Sequence, residues 1–152
     1  MATMITREGL NALEAELEWL DTKERKRIAG WIKEAREGGI VENTDYDQAM
    51  EAFHDLESSI EKLKEKLSDI EVAEIDEENE TVQIGDSLTV FDEIFGEDIN
   101  IKIVGTYEAN SLEGKVSNES PVGRALLGKH VGDSIKTNVG GNVLWYSIVS
   151  IG

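Results

Sequence analysis

Arg36-Glu37-Gly38-Gly39-Ile40-Val41-Glu42-Asn43-Thr44-Asp45-Tyr46-Asp47 is a short acidic stretch, broken by two glycines, between two long apolar-heptad segments. Glycine readily takes the positive-φ conformation that ends a helix, so Gly38-Gly39 closes the segment before it. Asn43 and Thr44 are both good N-caps for the segment after it. The connection is too short for anything but an antiparallel return. The stretch therefore reads as the tip of a helical hairpin with carboxylates at its end. Such a tip can carry negative charge, or a metal-holding carboxylate, into a narrow basic or metal-containing cavity of a larger assembly.

Upstream, residues 6 to 37 read as one long helix capped by Thr6, with Glu8 and Glu14 toward the positive end of its dipole. Leu10, Leu13, Leu17 and Leu20 step by threes and fours and so line one stripe. The charged run Lys23-Glu24-Arg25-Lys26-Arg27 interrupts it, and it resumes at Ile28, Trp31 and Ala35. Gly30 weakens the helix by roughly 1 kcal/mol relative to alanine. Downstream, a second helix is expected from Asn43 or Thr44 to Leu67 or Ile70, with Met50, Phe53, Leu56, Ile60, Leu63, Leu67 and Ile70 on one face. From Leu56 the steps are a heptad seam and require a helical partner, for which the first helix is the nearest candidate. A homodimeric coiled coil is the alternative. Trp19 and Trp31 read as packing residues of the stripe.

The charge of −17 over 152 residues opposes free binding to duplex DNA, which needs a cationic face. Solubility and a basic partner are both adequate reasons for such acidity. Hydrophobic content of 39% with 31% charged residues fits a folded chain with much exposed surface. Without cysteine there is neither a disulfide framework nor a thiolate zinc site, and two histidines make a self-contained transition-metal centre an unpromising expectation. The first residues lack a signal-peptide layout and no apolar run approaches membrane-spanning length, so no membrane partner is expected and cytoplasm is the default location.

Residues 69 to 80 are almost continuously acidic and read as a solvated linker, extended by like-charge repulsion, with room for one short strand. Beyond Thr81 the period changes to two. Strands are expected at 87–91, 100–104, 134–138 and 143–150, with a helix at 121–127 capped by Ser120 and started by Pro121. The fold class is α+β: an N-terminal antiparallel α-helical coiled-coil hairpin over residues 1–76, then a small α/β domain with an antiparallel sheet over 77–152.

The tip EAREGGIVENTDYDQA (residues 34–49), the run SNESPVGRALLGKHVGDSI (117–135) and the late GGNVLWYSIVSI (140–151) together resemble the Gre transcript-cleavage factors of bacterial RNA polymerase. The likeness runs the length of the chain. It implies a coiled coil that enters the polymerase secondary channel and an FKBP-like C-terminal domain, without isomerase activity, that docks on the channel rim. The resemblance also implies the chemistry: polymerase cleaves backtracked RNA in its own active site, and a tip carboxylate helps hold the weakly bound second Mg²⁺ there. Mg²⁺ takes oxygen ligands and usually only one or two protein carboxylates, and two ions together stabilise both the attacking and the leaving oxygen. The chain needs no cofactor of its own and is expected to be an accessory factor, monomeric when free, rather than an enzyme.

By this likeness Glu42 and Asp45 are the tip acids, and Arg25, Lys26, Arg27, Lys33, Arg36, Asn43 and Tyr46 are contacts to the RNA 3′ end or to polymerase. Ser120, Pro121, Arg124, Gly128 and Lys129 belong to the docking surface. Each has an ordinary reading as well. Acids in a helix's first turn favour its dipole by about 0.3–1 kcal/mol each, and a basic run interleaved with glutamates is often solvated helix surface. The tip departs from the family's GDLxENxEY pattern, being one residue shorter and lacking the Asp. Two mechanisms stay open: cleavage stimulation through Glu42 with a helper acid, or channel occupancy without cleavage.

Overall fold

The computed structural model describes residues 2–38 and 44–152, which form two compact units: Leu10–Asp69, and Met1–Gly9 together with Ile70–Gly152. The expected boundary at residue 76 puts residues 1–9 and 70–76 with the hairpin. In the structure they pack with the C-terminal unit because β1 (Thr3–Ile5) pairs in parallel with β2 (Ile70–Val72), Thr3 opposite Ile70 and Ile5 opposite Val72. Ile70 is thus a strand residue and not the end of the heptad seam.

In the hairpin unit, α1 (Arg7–Trp19) continues through a π-helical segment, Leu20–Glu24, into α2 (Arg25–Glu37), and α3 (Thr44–Ser68) follows. The π segment has a clear cause in the sequence. At about 100° per residue, Ile28 would fall about 80° away from the stripe that ends at Leu20. A π turn absorbs one residue and brings the stripe back into line. Ile28, Leu56 and Ile60, each at most 4% exposed, form the seam core, with Leu17, Leu20, Ile32, Ala52 and Phe53 packed around them. Burial of such side chains stabilises by about 1.5–3 kcal/mol each, against about 0.2–0.5 kcal/mol for an exposed ion pair on a helix, so the seam holds the hairpin. Trp19 lies one residue off the stripe and is 49% exposed, contrary to its expected packing role.

In the other unit five strands, β3 (Ser87–Asp92), β4 (Glu97–Val104), β5 (Lys115–Ser117), β6 (Ser134–Val139) and β7 (Asn142–Ile151), make a sheet in the order β5-β4-β3-β7-β6. All pairings are antiparallel except β4 with β5, which is parallel. Alternate residues Leu88, Val90, Ile101, Ile103, Ile135 and Ile148 face one side, where Leu126 of α4 (Pro121–Leu126) and Val82 complete the core. The Ser120 hydroxyl accepts from Gly123 N–H at 3.1 Å, capping α4 as expected, and Pro121 starts it. Gly123 is needed for a close approach, since a Cβ there would stand 1.9 Å from the Ser117 carbonyl oxygen.

The acidic segment after β2 is not a simple extended linker. Gln83 exchanges two hydrogen bonds with the Asp76 backbone, at 3.1 and 2.7 Å, and Asn79 Oδ1 accepts from Thr81 N–H. Its acids Glu74, Asp76, Glu77, Glu78 and Glu80 are exposed.

Candidate functional site

The chain between Gly38 and Thr44 carries the expected leading acid, and Glu42 and Asn43 lie outside the described residues. The two stems that hold it are described. On the α2 side Ala35 is 5% exposed, and on the α3 side Ala49 is fully buried. Small side chains there let the two helices run close. Polar ties between described residues cross from one helix to the other. Arg25 forms an ion pair with Glu57, and Trp31 Nε1–H donates to Asp45 Oδ1 at 3.0 Å. Asp45, one of the two expected tip acids, is therefore already engaged through one oxygen. Tyr46 is half-buried in the same first turn of α3.

The expected RNA- and polymerase-contact cations divide into two groups. Arg25 bridges Asp21 and Glu57, and Arg27 pairs with Glu24; these bonds hold both guanidinium groups above their usual range and the Glu24 carboxyl below its own. Lys26, Lys33 and Arg36 are exposed and recur at spacings of seven and three, which puts them on one stripe of α2. Lys33 and Arg36 line a cleft of about 480 Å³ with Ala29, Ile32 and Glu37. Its described lining comes from α2 alone and mixes the two cations with apolar side chains and the acid Glu37.

The C-terminal candidates also divide. Ser120 and Pro121 build the start of α4, and Gly128 sits at φ +80 in the turn after it, where its N–H bonds the Val82 carbonyl. These shape the backbone. Arg124 and Lys129 are exposed and can meet a partner directly, while Lys129 also accepts from Val82 N–H through its carbonyl.

Among the described residues, no group of three or more His, Asp or Glu side chains is placed to hold a metal ion. Nor is any helix of the described residues long and apolar enough to cross a membrane.

Two paired helices whose connecting segment carries Glu42 in its sequence, together with a mixed-sheet unit, are the architecture of a transcription elongation factor of the Gre type. The comparisons agree. The profile for the N-terminal part of transcription elongation factors matches residues 3–72, and that for the GreA/GreB C-terminal part matches residues 77–152. The chain belongs to the GreA/GreB family. It is 43% identical over 150 residues to the transcription elongation factor GreA of Lachnoclostridium phytofermentans, spanning 97% of this chain and 94% of that one. Identity is also 43% to the GreA of Chloroflexus aurantiacus, over 98% and 96% of the two chains. Among solved structures, GreA factor homolog 1 of Thermus thermophilus aligns over 100% and 99% of the chains at 24% identity and TM-score 0.45. At that score it adds nothing to the family assignment.

Two side-chain arrangements at these elements are absent from the sequence reading. The Trp31–Asp45 bond joins residues 14 apart on α2 and α3, and its only sequence signal is an indole N–H that needs an acceptor. Glu108 is the second. Its carboxylate accepts from Thr6 N–H and Gly105 N–H, each at 2.9 Å, and from the Thr6 hydroxyl, while Thr6 Oγ1 caps α1 by accepting from Gly9 N–H.

Proposed function

We propose that this elongation factor inserts its hairpin tip through the secondary channel of bacterial RNA polymerase and presents Glu42 to the polymerase's own active site on backtracked complexes. The observation that carries the reading is the stiff antiparallel pair α2–α3, held by the Ile28–Leu56–Ile60 seam, whose connecting segment contains Glu42. Helices of this kind extend about 1.5 Å per residue, so α3 alone reaches about 35–40 Å. That is long enough to bring a side chain to a buried site while the base stays outside.

In this reading Glu42 supplies one carboxylate oxygen toward the polymerase's weakly held Mg²⁺, a hard cation suited to such a ligand. Polymerase performs the cleavage and the chain remains an accessory factor. Lys26, Lys33 and Arg36 meet phosphates of the extruded RNA 3′ end, and Arg124 and Lys129 contact the polymerase surface. The free factor is a cytoplasmic monomer.

A second reading, channel occupancy without cleavage, is favoured by one specific observation. The family's other tip Asp is missing, and Asp45, the next acid after Glu42 in the sequence, is engaged by Trp31. Both readings place the tip in the same cavity.

The test is a stalled, backtracked elongation complex mixed with the protein and Mg²⁺. The cleavage reading expects shortened 3′ transcripts that disappear with Glu42→Ala. Competition with a cleavage-active Gre factor without shortening selects the second reading. Failure to bind polymerase overturns both.

A further inference from the structure

We propose that the C-terminal unit carries a second polymerase contact, an apolar patch bordered by acids at the β3–β4 turn end of its sheet, made by Ile94, Phe95, Val143 and Trp145. It takes a polymerase element whose apolar side chains are flanked by lysine or arginine. The proposal rests on the reading that the chain binds polymerase, and adds to it a surface apart from Ser120, Pro121, Arg124 and Lys129.

A turn that only joins two strands is normally polar, since water disfavours exposed apolar surface. The β3–β4 turn instead presents Phe95 at 77% and Ile94 at 51% exposure. The backbone that holds them out is fixed. Asp92 is buried, and its Oδ1 accepts from the Ile94 and Phe95 N–H groups at 2.8 and 3.0 Å. Its carbonyl accepts from Gly96 N–H at 2.7 Å, and Gly96 sits at φ +74, in the left-handed region that favours glycine. Phe95 is thus exposed on an ordered turn, and a partner meets it without the cost of ordering a loop.

The turn is continuous with the face of β7 that points away from the core. Glu93 N–H donates to the Trp145 carbonyl at 2.9 Å, and the Ser147 hydroxyl donates to Glu93 Oε1 at 2.6 Å. Val143 and Trp145, two residues apart, share the face opposite that of Ile148, which packs in the core with Leu126. Both are exposed. The Lys136 ammonium stands 4.2 Å from the centroid of the Trp145 ring, a cation–π contact that holds the indole in place. Single exposed apolar side chains are ordinary. Ile94, Phe95, Val143 and Trp145 gather at one end of a sheet, with the aromatics preset, and such a cluster marks a surface that another protein covers.

The border sets the partner's charge. Glu93, Glu97 and Asp98 are exposed around the turn, three carboxylates against the one ammonium of Lys136. Acids at the rim repel nucleic acid and favour a protein element with an apolar centre and basic edges. They also oppose pairing with a second copy of a chain whose net charge is −17. β4 begins at this turn and ends at Val104, opposite Ser117, so the start of α4 lies at the other end of the sheet. The patch is therefore a contact of its own and not an extension of that one.

The test is titration of the full-length factor and its variants against immobilised RNA polymerase. Phe95→Ser should weaken binding about tenfold, as loss of an aromatic anchor does at an interface. Phe95→Leu, which keeps an apolar side chain, should weaken it by no more than about threefold. Glu97→Lys combined with Asp98→Lys should also weaken binding about tenfold at low salt, with the difference shrinking as salt is raised. All these side chains are exposed, so thermal midpoints near that of wild type are expected and check the fold. Binding by Phe95→Ser within about twofold of wild type overturns the proposal. Charge reversal that leaves affinity unchanged or tightens it overturns the basic partner. A wild-type dimer in sedimentation velocity that Phe95→Ser dissolves overturns the proposal as well, because a second copy is then the occupant. Failure of the underlying reading looks different: wild type itself then does not bind polymerase, and the patch contact falls with it.

Discussion

Replacing Glu108 with alanine removes the acceptor for two buried backbone donors at once. Thr6, 1% exposed, and Gly105, also buried, each direct an N–H at the carboxylate at 2.9 Å. An orphaned buried donor costs about 1–3 kcal/mol. The Thr6 hydroxyl loses its bond to Glu108 but keeps its lone pairs for Gly9 N–H. Glu108 is itself half-buried, so water entering the vacated space recovers part of the loss, and the net destabilisation is about 2–4 kcal/mol. For a unit of this size that lowers the melting temperature by about 10–20 °C. Glu108→Gln, with one carbonyl oxygen left, should lose about half as much. Scanning calorimetry reads the transition of the C-terminal unit. A second substitution sharpens the test, because a Cβ at Gly9 would stand 2.1 Å from Glu108 Oε1. Gly9→Ala should therefore destabilise the wild type by displacing the carboxylate. In the Glu108→Ala background it should stabilise by about 0.5–1 kcal/mol, as alanine does in a helix. A shift below about 3 °C for Glu108→Ala, or the same sign for Gly9→Ala in both backgrounds, would refute the reasoning.

Leu56→Ala, at the centre of the hairpin seam and 4% exposed, should cost about 2–5 kcal/mol and appear as early loss of helical circular dichroism on urea titration. Gly123→Ala should destabilise the C-terminal unit by about 1–3 kcal/mol, since its methyl would meet the Ser117 carbonyl at 1.9 Å; calorimetry checks this. Burial, and secondarily the negative charge of Asp92, raise the Tyr146 phenol above its ordinary value near ~10. The unfolded chain then ionises first, so this contribution to stability is complete below about pH 10 and is lost as pH rises through the higher folded value. Urea midpoints measured across that window should fall less steeply in Tyr146→Phe.

The hairpin was legible because period and punctuation agreed: leucines at threes and fours, a heptad seam from Leu56, and glycines where the first helix ends. The main strands and α4 were legible for the same reason, with Ser120-Pro121 marking the helix start. What escaped has a common physical origin. The strand Thr3–Ile5 is three residues long and its partner Ile70–Val72 lies far along the chain, so neither alternation nor a turn signals it. Likewise, Lys115–Ser117 pairs in parallel with β4 and leaves no hairpin signature. The π segment was visible as a pause in the stripe between Leu20 and Ile28, yet a charged pause in an α-helix and a register-correcting turn look alike in one dimension. Of the candidate contacts, the sequence supplied the cations but not which of them were already paired. Arg25 and Arg27 proved to be engaged within the hairpin, while Lys26, Lys33 and Arg36 face outward.

The central claim is that the tip of the hairpin reaches the catalytic centre of RNA polymerase. The chain has no cysteine, so Thr44→Cys at the start of α3 gives a single attachment point for a photoreactive benzophenone next to Glu42. On a backtracked elongation complex, irradiation should join the factor to polymerase segments beside the Mg²⁺-binding acids and to the RNA 3′ end. Crosslinks confined to the outer surface of polymerase, or to a second copy of this chain, would contradict it.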